Sequence, residues 1–156
     1  MNLSYIALLL SFLTLQGCGN HSDVRPAEEN VPLYSDVAFK EYVIQFEEHY
    51  GKSVAHIPIV FAKLDSGTAG ICFQSKVGGQ VVYSYIKIDK EYWQTISDYQ
   101  KINLVFHEYG HCALMRGHTA IDNVSRCPIS YMNPSVLTPQ CAIDNYNHYI
   151  KELFGE

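Results

Sequence analysis

Between residues 35 and 50, hydrophobic and polar positions recur with the period of a helix. Apolar residues at intervals of three and four predict an amphipathic helix over residues 35–50. Ser35 is a suitable N-terminal cap for this helix, and Gly51 is placed to end it. We therefore expect a helix at the start of the folded domain.

The middle of the chain has the pattern of strands. Three apolar stretches predict strands at residues 57–64, 70–76 and 81–89. Gly78-Gly79 lies between the last two, which predicts a tight hairpin. We expect these strands to form one small sheet.

The remainder returns to a helical pattern. Residues 92–96 predict a short turn or helix, and Ser97 or Asp98 would cap a longer helix that runs through Met115. Thr138-Pro139 begins a last helix, with a cap followed by proline at the first helical position. The order predicts an α+β fold: a small mixed sheet of three to four strands packed on the long helix, followed by a C-terminal helix.

The N-terminus has the pattern of an export signal. Residues 6–15 form an apolar run of ten, too short to span a membrane and typical of a signal-peptide core. The run ends in Leu15-Gln16-Gly17-Cys18, which resembles a bacterial lipobox, after which the signal is removed and the cysteine is acylated. It departs from that pattern at Gln16 and in the absence of Lys and Arg from residues 1–5. The alternative is an ordinary secretory signal with an incidental Cys18.

This N-terminus predicts three segments and a location. Residues 1–17 would be the signal peptide, residues 18–33 the lipid-anchored cysteine and its polar tether, and residues 34–156 the folded domain. We expect the protein in the bacterial cell envelope, held to a membrane through its lipid.

Composition supports one domain and excludes one class of partner. A chain of 156 residues with 47% hydrophobic content has room for a single packed domain, which we expect to be a monomer. The net charge is −5 and no block of Lys and Arg exists, so we expect no nucleic-acid partner.

Export changes the interpretation of the cysteines. Without Cys18, an even number remains for an oxidising compartment: Cys72, Cys112, Cys127 and Cys141. Four cysteines allow three pairings. Cys127 with Cys141 would close a short loop, and Cys72 with Cys112 would then join a strand to the long helix. Free buried thiols are the alternative.

The candidate chemistry lies in His107-Glu108-Tyr109-Gly110-His111, an HExxH pattern late in the long predicted helix. Residues four apart share one helix face, so His107 and His111 can hold one metal ion while Glu108 reaches a water molecule beside it. Zinc with histidine ligands and an open position is a hydrolytic centre. Gly110 costs about 1 kcal/mol relative to alanine inside a helix, which suggests close approach of another backbone.

Two downstream features extend this pattern. His118 follows Gly117, which in a left-handed conformation would end the helix and turn His118 back towards the metal. The segment Ser130-Tyr131-Met132-Asn133-Pro134 follows in a predicted loop.

Together these residues resemble the metzincin zinc peptidases, whose pattern is HExxHxxGxxH followed by a turn containing methionine. The resemblance covers roughly residues 57–154. It implies His107, His111 and His118 as zinc ligands. It also implies Glu108 as general base and Met132 as the floor beneath the zinc.

The resemblance further implies the substrate. The activity would be hydrolysis of peptide bonds in a peptide or protein, with one catalytic zinc. Either residues 81–89 or residues 70–76 would be the edge strand that aligns an extended peptide.

The chain departs from the family pattern in its spacing. Leu114 stands where the family has glycine, and His118 comes one residue late. We expect the helix to run about one turn further and the chain to turn at Gly117.

Two other interpretations remain open. Asp122 or Asp144 could replace His118 as an acidic third ligand, in a thermolysin-like or other non-metzincin peptidase. A protein ligand such as Asp122 in the fourth position would instead give a closed, non-catalytic zinc site in an envelope lipoprotein.

Overall fold

The computed structural model describes residues 31–122 and 126–155. The predicted signal peptide, Cys18 and most of the predicted tether lie outside these described residues. Within the described part of the chain, every helix is too short or too polar to cross a bilayer.

The sheet is mixed and has three strands, as the pattern predicts. They are β1 (Ile59–Ala62), β2 (Gly70–Val77) and β3 (Gln80–Asp89), in the order β1-β3-β2. β1 pairs with β3 in parallel, and β2 pairs with β3 in antiparallel orientation. β3 is therefore central, and β2 forms one edge of the described sheet.

The hairpin between β2 and β3 forms at the predicted glycines. Gly78 and Gly79 have φ values of 58° and 82°. Both central positions of this turn need positive φ, which glycine adopts without a steric penalty.

Five α-helices occur among the described residues. They are α1 (Lys40–Tyr50), α2 (Lys90–Trp93), α3 (Asp98–Cys112), α4 (Pro139–Asp144) and α5 (Tyr146–Phe154). The fold is therefore α+β. Thr138 caps α4 by accepting a bond from Cys141 N, and the predicted last helix is divided in two at Asn145.

The predicted role of Ser35 at the start of the first helix is wrong. A short 3₁₀ turn, Val37–Phe39, leads into α1, while Ser35 Oγ accepts a hydrogen bond from Ile59 N at 3.0 Å. Asp36 Oδ2 accepts one from Phe61 N at 2.7 Å. These N–H groups lie on the edge of β1 away from β3, and satisfying them takes precedence over capping the helix. Gly51 does end α1, with φ 71°.

The α3 helix begins as predicted and ends early. Ser97 and Gln100 form a reciprocal capping box at its start. The helix ends at Cys112, three residues before the predicted Met115. The expectation that it runs a further turn is therefore wrong.

The core lies between the sheet and helices α1, α3 and α5. Its centre is aromatic: Phe46 contacts Phe106 and Tyr109 with ring centroids 5.3 and 4.8 Å apart. The hydroxyl of Tyr109 donates a hydrogen bond to Ile57 O at 3.2 Å, which satisfies the one polar atom of this buried side chain. α3 thus packs against α1 as well as against strands β2 and β3.

Both predicted disulfides are present in the structure. Cys72–Cys112 joins β2 to the last residue of α3, and Cys127–Cys141 joins the preceding loop to α4. The first of these bridges lies beside the HExxH pattern.

Candidate metal centre

The α3 helix brings His107 and His111 together on one face, as the four-residue spacing predicts. Their Nε2 atoms are 3.0 Å apart. The helix also buries Glu108, whose side chain points to the neighbouring strand β2. The HExxH residues therefore have the orientation that their spacing implies.

His118 joins them by a route that differs from the predicted one. The chain turns at Met115, which has a left-handed φ of 57°, whereas Gly117 does not have positive φ. Arg116 N donates to Gly110 O at 2.9 Å, closing the turn, and Gln74 Nε2 lies 3.1 Å from Met115 Sδ. These contacts hold Met115 in the left-handed conformation, although Gly117 could adopt that conformation with a smaller steric penalty. His118 Nε2 consequently lies 3.1 Å from His111 Nε2.

Backbone carbonyls determine which nitrogen of each helical histidine is protonated. His107 Nδ1 is 2.7 Å from Tyr131 O, and His111 Nδ1 is 2.7 Å from Arg116 O. A carbonyl only accepts, so both Nδ1 atoms must donate. The Nε2 lone pairs of the neutral rings then face one another and His118, an arrangement that is repulsive without a cation among them.

This donor set fits a metal ion. The ligand atoms of His107, His111 and His118 all lie within 4.8 Å of one another. Tetrahedral coordination at zinc–nitrogen distances of about 2.0–2.1 Å places ligand nitrogens roughly 3.3 Å apart. The observed spacings of 3.0 and 3.1 Å are close to that value.

Burial keeps His107 in the form that binds metal. Desolvation lowers the pKa of His107 to about 4, although its bond to Tyr131 O acts in the opposite direction. Burial also lowers the pKa of His111. Both rings are therefore neutral at neutral pH, and neither has to lose a proton for a metal to bind.

Glu108 is held between α3 and β2. The carboxyl group of Glu108 accepts a hydrogen bond from the backbone N–H of Cys72, and only 4% of the residue is exposed. Desolvation raises the pKa of Glu108 to about 8 in the metal-free chain. A cation held by the three histidines would favour the ionised form, because opposite charge nearby lowers a carboxyl pKa.

Gly70 explains how Glu108 comes so close to the strand. A Cβ atom at Gly70 would lie 2.7 Å from Glu108 Oε1. Sequence reasoning did not single out Gly70, because a glycine at the start of a strand has no local signature of what packs on it.

Met132 lies directly against the helix, beside the histidines. It is fully buried, and a Cβ at Gly110 would lie 2.4 Å from its Sδ. The sequence suggested close approach of a backbone at Gly110, but the neighbour is this side chain.

The histidines and Glu108 line a cleft of about 1110 Å³. One wall is formed by β2 with the loop before it, and a second wall contains Asn133, Pro134, Ser135 and Val136. Asn103, one turn before His107 on α3, holds this second wall by accepting a bond from Leu137 N at 3.1 Å. The sequence did not indicate Asn103, since its partner is 34 residues away.

Of the two predicted edge strands, only β2 borders the cleft from an edge. β3, the alternative, is central. Asp89 N donates to Ala69 O, so by alternation Ile71 and Phe73 pair with β3. The backbone groups of Gly70, Cys72 and Gln74 then point away from β3, along the edge.

The two acidic alternatives for the third ligand are not part of the histidine cluster. Among residues 31–122 and 126–155, the only such group of potential metal ligands is His107, His111 and His118. Asp144, an exposed residue of α4, accepts a hydrogen bond from Gln140 Nε2 at 2.7 Å. Asp122 pairs through its backbone with Pro128.

Comparison of the chain with protein-family models, with curated proteins and with solved structures gives no significant match.

Proposed function

We propose that this chain is a zinc-dependent metalloendopeptidase. The observation that carries the proposal is the convergence of three histidine Nε2 atoms beside a buried glutamate in an open cleft. Imidazole nitrogens suit zinc as well as copper, iron and nickel, and a set of three protein ligands with space beside it is typical of catalytic zinc sites.

Glu108 performs the proton transfers in this mechanism. Zinc, when bound, supplies Lewis-acid activation of a water molecule and of the scissile carbonyl. Glu108 takes the proton of the attacking water and delivers it to the leaving amine. The Cys72 N–H keeps the Glu108 carboxylate in one orientation for both transfers.

An extended peptide is the substrate that fits the cleft. The outward backbone groups of Gly70 and Gln74 on β2 can pair with a peptide laid along this edge. Such pairing involves only the backbone of the peptide, so peptides of many different sequences can bind. This supports cleavage within a peptide or protein substrate.

We also propose that the site is metzincin-like. The order of elements supports this: antiparallel strand β2 beside the cleft, then the HExxH helix α3, then His118, then buried Met132. His118 comes one residue later than the third histidine of the metzincin pattern, and the left-handed turn at Met115 compensates for this extra residue.

Export to the bacterial cell envelope, with acylation at Cys18 and a monomeric domain, completes the proposal. The two disulfides support an oxidising compartment, where such bonds persist. Metabolic labelling with a radioactive fatty acid tests the anchor. Label should appear in the wild type and be absent from Cys18→Ala.

Replacing Glu108 by Gln tests the activity. The variant should bind one zinc per chain as the wild type does, while hydrolysis of an unstructured protein such as casein falls about 10²–10⁴-fold. Glu91→Gln, an exposed residue that also lines the cleft, is the matched control and should be fully active. Undiminished hydrolysis by Glu108→Gln would overturn the mechanism.

Replacing His118 by Ala tests the metal site. Zinc affinity, measured by competition with a chromophoric chelator, should fall by more than the roughly 10–100-fold typical of removing an outer-sphere partner, because a ligand itself is lost. Asp122→Ala and Asp144→Ala should bind as the wild type does. A loss in Asp122→Ala instead would favour the alternative function, a closed zinc site in a non-catalytic envelope protein.

A further inference from the structure

Two loops of the segment that connects α3 to α4 supply the carbonyls that orient the helical histidines. Arg116 O accepts from His111 Nδ1, and Tyr131 O accepts from His107 Nδ1, both at 2.7 Å. Residues 116 and 131 lie on either side of the backbone bridge between Asp122 and Pro128 in this segment, so both loops must be held in place for the two rings to point at one metal.

A single carboxylate on α5 contacts both loops. Glu152 Oε1 accepts a hydrogen bond from Arg116 Nη2, and Glu152 Oε2 accepts one from Ser130 Oγ at 2.6 Å. Arg116 itself carries the carbonyl that faces His111. Ser130 directly precedes Tyr131, whose carbonyl faces His107.

Each arm of this connection is strengthened by further hydrogen bonds. Arg116 Nη1 also donates to Glu152 O at 2.9 Å and to Leu153 O at 3.3 Å, two carbonyls of the last turn of α5. Ser130 Oγ, besides donating to Glu152, accepts from Met132 N at 2.9 Å. Ser130 is fully buried.

The Arg116–Glu152 pair is more sheltered than an ordinary surface ion pair. The side chains of Arg116 and Glu152 are 27% and 24% exposed. Bonds between charged groups that are partly shielded from water are shorter and stronger than neutral ones, so this pair is suited to hold a geometry.

We propose that Glu152 is a positioning residue for the candidate metal centre: by binding Arg116 and Ser130 together, it fixes the two carbonyls that orient His111 and His107. The proposal rests on the proposed metal site. Glu152 touches neither metal nor substrate, and it acts through the two loops. Groups that orient histidine ligands from outside the coordination sphere typically change metal affinity by 10–100-fold when removed.

Zinc affinity in Glu152→Ala tests this role. Titration against a chromophoric chelator, at a temperature where the protein is folded, should show affinity 10–100-fold below the wild type. The absorption bands of the Co²⁺-loaded variant should also shift, because they report the geometry of the ligands. Lys151→Ala, the exposed neighbour on α5, is the control and should match the wild type in both.

A conservative variant separates positioning from general stability. Glu152→Gln keeps an oxygen for Arg116 and an amide N–H for Ser130 Oγ, so it should bind zinc more tightly than Glu152→Ala. Should Glu152→Ala not fold, Ser130→Ala releases one loop alone and should weaken zinc binding about tenfold.

The outcomes distinguish this proposal from the proposed function. Wild-type zinc affinity and an unchanged cobalt spectrum in Glu152→Ala, or in Ser130→Ala if the former does not fold, would overturn the positioning role and leave the metal site standing. Failure of the wild-type protein itself to bind zinc would overturn the metal site.

Discussion

The Sδ atom of Met132 occupies the space that a side chain at Gly110 would fill. A Cβ atom built on Gly110 would lie 2.4 Å from Sδ and 3.1 Å from Cε of Met132. Met132 is fully buried, and Leu153 Cδ1 lies 3.5 Å from the same point. The glycine inside α3 therefore allows the methionine to pack against the helix, one residue before His111.

Gly110→Ala should destabilise the protein although alanine is the better helix former. Displacement of a buried side chain costs about 1–3 kcal/mol, which exceeds the gain of about 1 kcal/mol in helix propensity. The free energy of unfolding in urea measures the net loss. In a Met132→Ala background the clash is gone, so the same substitution should be neutral or stabilising. Equal effects in both backgrounds would contradict this account.

Gly70→Ala should impair hydrolysis without impairing zinc binding. Its Cβ would lie 2.7 Å from Glu108 Oε1 and 3.0 Å from the carboxyl carbon, so the proposed general base would be displaced while the histidines are untouched. A displacement of this kind reduces kcat about a hundredfold. Ser75→Ala, on the same strand but outside the cleft lining, is the control and should keep full activity. Normal kcat in Gly70→Ala would show that the Glu108 position is not constrained by β2.

The two disulfides should differ in what their removal changes. Replacing Cys127 and Cys141 by Ser opens a link across 14 residues and should reduce the unfolding free energy by about 3 kcal/mol, with hydrolysis unchanged below the melting temperature. Replacing Cys72 and Cys112 opens a link across 40 residues, costing about 4 kcal/mol, and should also reduce hydrolysis. The reason is that Cys72 N–H holds Glu108. Similar losses of hydrolysis in both variants would argue against a specific role for the Cys72–Cys112 bridge.

The stability of the metal-free protein should depend on pH through Glu108. Burial raises the pKa of this carboxyl to about 8 from an ordinary value of 4.5, so between these values the folded chain holds a proton that the unfolded chain has lost. Its contribution to stability is complete below about pH 4.5 and is lost as the pH rises through about 8, with a slope of at most about 1.4 kcal/mol per pH unit.

Comparison with Glu108→Gln isolates this effect. Burial lowers the pKa of His107 to about 4, which makes the folded state less stable as the pH falls from 6.5 towards 4. That contribution is common to both proteins and cancels in the difference. Urea unfolding in the presence of EDTA should therefore show Glu108→Gln gaining stability over the wild type as the pH rises from about 5 to about 8. Parallel pH profiles would mean that Glu108 is not desolvated in the folded chain.

Local chemistry made several features predictable from sequence. The capping box at Ser97, the hairpin at Gly78-Gly79 and the end of α1 at Gly51 each depend on hydrogen bonds or φ values within a few residues. The pairing of His107 with His111 has the same origin, since it needs only the helical repeat of 3.6 residues.

Features that depend on distant partners were not predictable in this way. Ser35 would cap a helix if only its neighbours mattered, but the edge of β1 is a competing partner 24 residues away. The strand order also depends on long-range pairing, which places β3 in the centre and leaves β2 beside the cleft.

The sequence by itself determined the types of the candidate ligands, the spacing of His107 and His111, and the presence of Glu108 between them. Only the tertiary structure decided that the chain turns at Met115, that Gly70 admits Glu108 against β2, and that Glu152 joins the two loops behind the histidines. The physical reason is the distance along the chain over which each interaction acts. The helical repeat is set by backbone bonds four residues apart, whereas a turn, a close approach or a shared carboxylate is set by whichever residues the packed core brings into contact.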